Sequence, residues 1–173
     1  MSGYGDKPFG LNDVKLTDIA GAVQVDLPSA RVLKFSERMK SGELTGDDML
    51  AAVASFAEAV EWELEGGGIS LEAYALITGR TASSSGSTPN RTLTLHGHGA
   101  ECFPYFKIYG KSLSECTGDI HAKIFKAKVT KLEGSLQEGE FFVTSCSGIA
   151  IDDGTNGMFQ FVQNETAAVL PTT

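Results

Sequence analysis

The chain has 173 residues, 42% of them hydrophobic and 21% charged, a composition that excludes a wholly disordered chain and is enough for one domain with a sizeable core. Its 22 acids against 14 Lys and Arg give a net charge of -8, which disfavours a high-affinity nucleic-acid binder, because duplex affinity is driven by cations that displace counterions. Three widely spaced cysteines with no Cys-x-x-Cys pair, and an N-terminus without an apolar run, predict a reduced intracellular chain with no export signal and no membrane anchor.

Residues 1–10 contain Gly and Pro and are expected to form an arm of a single domain spanning 1–173. Alternating apolar residues predict strands over Asp13–Thr17, Val23–Leu27 and Arg31–Glu37. Lys40–Asp48 reads as a loop on its Gly and Asp content. Residues 49–65 carry conflicting signals. Five alanines favour helix, whereas Val60, Trp62 and Leu64 alternate with Glu61, Glu63 and Glu65. The alternation predicts two strands broken near Phe56–Glu58, with Trp62 buried.

Gly66, Gly67 and Gly68 terminate that strand. Ser70 as an N-cap, Glu72 in the first turn and Gly79 as a C-cap then predict a helix of about two turns. Its apolar face would be Leu71, Tyr74, Ala75 and Ile77 or Leu76. The Ser-rich stretch 80–90 is expected to be a flexible loop. Strand signals fill the second half: Arg91–His96, Cys102–Tyr109 with Pro104 at an edge or bulge, Ile120–Leu132, Glu140–Ile151 and Met158–Gln163. In the third of these, Phe125, Ala127 and Val129 face one way and Lys126 and Lys128 the other. Residues 165–173 form a C-terminal tail. Many short strands with one helix imply a mainly β fold, a sandwich or barrel with one short flanking helix.

Charge is segregated. Ser41–Gly79 contains no Lys or Arg and eight acids, among them Asp47, Asp48, Glu61, Glu63 and Glu65. Lys107–Lys131 contains six lysines, among them Lys123, Lys126, Lys128 and Lys131, against two acids. Acidic and basic surfaces on one small body suit head-to-tail association, and solvated strand faces are the plainer alternative. His96, His98 and Cys102, with His121 or Cys116 as a fourth ligand, match no standard zinc spacing, so no metal is expected. The glycine run lacks a phosphate-loop signature, and no nucleophile motif is present. Neither a catalytic residue nor a cofactor is expected.

The strings Pro8–Leu16, Leu27–Ala30, Leu44–Asp48, Val60–Tyr74, Gly99–Phe106, Lys131–Gly134 and Ile151–Gly154 together resemble the major tail (tail tube) proteins of long-tailed, non-contractile bacteriophages. The resemblance spans residues 8–163 and includes no catalytic signature. It implies a β-sandwich of two packed sheets flanked by one helix. It further implies hexameric rings that close an inner β-barrel and stack into a hollow tube. The implied partners are further copies of the chain, the tape measure protein, tail tip or initiator and terminator proteins, and DNA that passes through the lumen unbound. The implied location is the virion tail, with assembly in the host cytoplasm. Under this reading Glu37, Asp47, Asp48, Glu61, Glu63, Glu65, Lys123, Lys126, Lys128 and Lys131 are candidate lumen or inter-subunit charges. Type VI secretion tube proteins are similar in fold. A β-rich binding or adhesion module, and less favourably a small metal enzyme, are the alternatives.

Overall fold

The computed structural model describes residues 8–46, 49–68, 70–114, 117–138, 140 and 143–170. Asp47, Asp48 and Cys116, most of the expected N-terminal arm and the last three residues of the expected tail lie outside them. The fold is mainly β. In chain order the elements are β1 (Pro8–Asp18), β2 (Gln24–Asp26), β3 (Ala30–Gly46), β4 (Met49–Gly67), α1 (Leu71–Thr78), β5 (Ala82–Ser85), β6 (Thr92–Leu95), β7 (Phe106–Ser114), β8 (Asp119–Ser135), β9 (Val143–Ala150) and β10 (Phe159–Asn164).

Eight strands are hydrogen-bonded in the order β2-β1-β7-β8-β9-β4-β3, with β10 also on β8, and β5 and β6 form a separate hairpin. The two packed layers of the sandwich share β8. One edge of β8 pairs with β7, while the other passes from β10, at Asp119–Ile124, to β9, at Ala127–Ser135. A bulge makes the turn possible. Between the pairs Phe106–Ala127 and Ile108–Ile124, β8 uses one residue more than β7. That extra residue lets Ile124 and Ala127 both point inward despite their odd spacing, and it bends the strand.

The layers meet through their inner faces. Val14, Leu16, Ile108 and Ile124 come from one layer and Val60, Trp62, Leu64 and Cys146 from the other. The Trp62 indole meets the Phe106 ring edge-on at 5.6 Å, and Phe35 of β3 lies 5.1 Å from Phe161 of β10. Gly148 is required here, since a Cβ would stand 2.7 Å from the indole and 2.0 Å from the Lys128 carbonyl oxygen. Trp62 is 2% exposed, as the alternation predicts.

The helix forms where its caps predict. Ser70 Oγ accepts from the Ala73 amide, and Gly79 ends the helix with φ 72°. Its buried residues are Ala73, Ile77 and Thr78, so the expected face is rotated: Leu71, Tyr74 and Ala75 are only half-buried. Ala73 and Ile77 face Leu16, Leu27 and Leu64 across a small cleft.

Three expectations need correction. Lys40–Asp48 is not a loop as far as it is described, because β3 runs through Gly46. Residues 49–65 form one strand rather than two. At the expected break, β3 pairs Arg38 with Ala59 and Met39 with Ala57, leaving Glu58 as a bulge. Residues 80–90 contain a strand, because β5 pairs with β6 and Ser85 Oγ lies 2.6 Å from Thr92 Oγ1. In addition, β7 begins after Pro104, so that proline precedes the ladder instead of interrupting it.

Candidate assembly interface

The sequence of β3 and β4 builds one long antiparallel hairpin with two different halves. Near the sandwich, Val60–Gly67 pairs with β3 on one side and β9 on the other. Beyond it, Met49–Ala59 has β3 as its partner and no third strand among the described residues. At roughly 3.3 Å per residue, the eight residues of β3 from Met39 to Gly46 reach about 26 Å. Large apolar side chains on this arm lie open: Met39, Leu44, Val53 and Phe56 are all more than half exposed. The outer edge of β3 ends the sheet order, with no strand paired to it among the described residues, and so offers backbone donors and acceptors to a further strand. Charges interrupt that edge at Lys34, Glu37, Arg38, Lys40 and Glu43, a device that keeps open edges from pairing indiscriminately.

Register places most of the candidate charges. Lys128 lies opposite Ile149, which lies opposite Glu61. Lys131 lies opposite Ser147, which lies opposite Glu63, which lies opposite Lys34. Residues directly opposite one another project on the same face. The basic stripe of β8 and the acidic stripe of β4 therefore share the outer face of one layer, separated only by β9. The sequence suggests separate surfaces, and β9 overrides that by pairing with both strands. Between the stripes lies an open trough of about 810 Å3 that includes Ser36, Thr130, Ser145 and Ser147.

The acids also have partners in their own chain. Lys34 Nζ lies 3.3 Å from Glu63, and Arg38 lies 3.3 Å from Glu58 and 3.9 Å from Glu61. The gap in cations from Ser41 to Gly79 is filled across the hairpin by β3. Lys131 pairs with Glu133 at 2.9 Å, and Lys126 and Lys128 stand 5.3 and 5.0 Å from the Tyr105 ring centre. Glu37 is opposite Val60 and so projects on the other face from Glu61, Glu63 and Glu65. Lys123 is opposite Tyr109, on the outer face of the other layer.

That second outer face carries a buried polar cluster which the sequence reading missed. Asp119 is fully buried. It accepts from Asn164 Nδ2 at 2.6 Å and the Ala168 amide at 2.7 Å, with Lys111 Nζ at 3.2 Å and His121 Nε2 at 3.1 Å. Burial raises the carboxyl pKa, but these donors outweigh it and hold it down at about 2. The alternation of Asp119 and His121 with Ile120 was the available signal, and it reads equally well as an ordinary solvated strand face.

His121 is thus paired with Asp119. His96 and His98 are exposed with ring centres 6.4 Å apart, and among the described residues no three His, Cys, Asp or Glu side chains form a metal-binding group. Cys146 is buried, and burial pushes its thiol up to about 12, as for a small core residue rather than a nucleophile. No helix among the described residues is long and apolar enough to cross a membrane.

No family model and no curated protein matches this sequence. Among solved structures, the tail of an empty GTA particle, computed with helical refinement in C6 symmetry, is similar at 9% identity and a TM-score of 0.45, over 87% of this chain and 96% of that one.

Proposed function

We propose that this chain is a structural subunit that assembles with copies of itself into hexameric rings, stacked as the tube of a long-tailed phage tail. The tube would enclose the tape measure protein during assembly, meet initiator and terminator proteins at its ends, and pass DNA during ejection. The resemblance of residues 8–163 supplies the family. The hairpin arm of β3 and β4 carries the self-association.

A two-stranded ribbon that buries neither face is marginal in water, so an arm with four open apolar side chains gains most of its stability from a partner. A neighbouring copy that adds a strand to the β3 edge, or packs on Leu44 and Phe56, supplies that stability and removes the open edge. The β3 cations paired to Glu61 and Glu63 leave little attraction for phosphate on that face.

The test compares the chain with Leu44→Asp and Phe56→Asp by negative-stain microscopy and sedimentation, with the tail initiator present. Rings or tubes are expected from the parent and subunits alone from the variants, with unchanged melting of the free subunit. A parent that stays monomeric under all these conditions removes the reading.

A further inference from the structure

The charges of β3 follow an order. Lys34, Arg38 and Lys40 hold even positions, and Glu37 and Glu43 hold odd ones. Beyond Val32 the bulges of the β3–β4 ladder lie on β4, so alternation along β3 is unbroken from Val32 to Gly46. The three cations therefore project on one face of the strand, that of Glu63, and the two acids on the other. β4 neutralises only part of this set. Lys34 and Arg38 meet Glu63, Glu58 and Glu61. Glu37, Lys40 and Glu43 stand opposite Val60, Phe56 and Val53 and form no ion pair among the described residues. All three are exposed on the strand that ends the sheet order.

The strand that such an edge meets in every solution of the chain is β3 of another copy. Antiparallel pairing of β3 with itself has a two-fold axis normal to the sheet. That axis keeps each face on its own side, and residues directly opposite share a face. Within Val32–Gly46 the cations can then meet only cations or neutral residues, and the acids only acids or neutral residues. No two-fold register offers an opposite-charge pair. Like charges do meet. A register centred on Arg38 sets Arg38 against Arg38. One centred on Met39, which pairs Val32–Gly46 throughout, sets Arg38 against Lys40 twice. One centred on Lys40 sets Lys40 against Lys40 and Glu37 against Glu43. Like charges directly opposite destabilise a strand pair.

We propose that this charge order closes the β3 edge to antiparallel pairing with β3 of a second copy, and leaves it to an unlike strand that brings acids to the cation face. The free subunit thereby keeps the edge of its arm unoccupied until such a strand arrives.

The test uses free subunits and needs no rings, so its outcome is separate from that of the tube reading. In a background with Cys102→Ser and Cys116→Ser, Met39→Cys puts an exposed thiol at the position that faces itself in the longest register. A short bismaleimide should leave this chain monomeric. Adding Lys40→Glu turns two like-charge pairs into two opposite-charge pairs. It should raise the symmetric crosslink roughly tenfold or more at low salt, and less as salt rises. Adding Arg38→Glu as well restores like charges and should remove the self-crosslink. An equimolar mixture of this double reversal with the chain that keeps Arg38 and Lys40, one of them mass-tagged, should crosslink, because each offers the other's opposite signs. Circular dichroism confirms that each variant is folded. A Lys40→Glu chain that crosslinks no more than its parent overturns the proposal. A mixture that crosslinks no more than its two components overturns the place for an unlike strand.

Discussion

The two halves of β4 are one strand in two environments. From Val60 to Gly67 it lies between β3 and β9, and its apolar residues enter the core. From Met49 to Ala59 it has β3 alone among the described residues, and Val53 and Phe56 stay exposed. Strand formation needs only one paired neighbour, whereas burial needs a facing layer. The proximal half is therefore specified by its own fold and the distal half by what it meets.

The largest test of this contrast is a pair of truncations. Trp62→Ala should cost about 3–5 kcal/mol in the free subunit, because it deletes a large aromatic packed on Phe106. Phe56→Ala should cost under about 0.5 kcal/mol there, since the side chain buries little, and should act only on assembly. Chemical denaturation measures both. Equal costs would mean that the arm packs on its own chain.

A smaller effect separates the two outer faces. Asp119 is held from the ordinary 3.8 down to about 2, so its ionised form contributes stability above about pH 4. That contribution is lost as pH falls from about 4 to about 2. Asp153, also held at about 2 by Asn156 and neighbouring backbone amides, titrates in the same range. The stability of the parent, read by chemical denaturation, should therefore fall steeply as pH drops through this window, and Asp119→Asn should flatten part of the slope. An unchanged slope would show that Asp119 gains no donors on folding. The exposed ion pairs on the Glu61 face should contribute little to stability.

Legibility in the sequence follows the same division. Val60, Trp62 and Leu64 were readable because a half-buried strand must alternate. The helix was readable because Ser70 and Gly79 satisfy its ends whatever packs beside it. Lys40–Gly46 misled because an arm exposed on both faces has no need of an apolar stripe, so Gly and Glu look like loop residues. Ala82–Ser85 misled for a related reason, being paired through backbone and hydroxyls with little burial. The pairing of Glu61 and Glu63 with Arg38 and Lys34 depends on hairpin register, which no local string contains. Asp119 needed the placement of Asn164 and Ala168, 45 and 49 residues away.

The smallest expected effect concerns Lys126 and Lys128. Reversing both to Glu removes two contacts with Tyr105, each worth about 0.5–1 kcal/mol at an exposed site. It also sets new acids two strands from Glu61, roughly 10 Å away, about one Debye length at 0.1 M salt. Repulsion within the subunit is thus weak, and its stability should fall by only about 1–2 kcal/mol. Across subunits the consequence differs, because close approach of basic and acidic stripes from neighbouring copies is screened far less. If they meet, the reversal should slow assembly at low salt, with the parent and variant rates converging as salt rises. Glu61→Gln with Glu63→Gln should slow it too, while releasing Arg38 and Lys34 from their partners. Light scattering at two ionic strengths reads both variants. Rates equal to the parent at both salts would leave the lysines a solvated face braced by Tyr105, and would confine the work of association to the apolar arm.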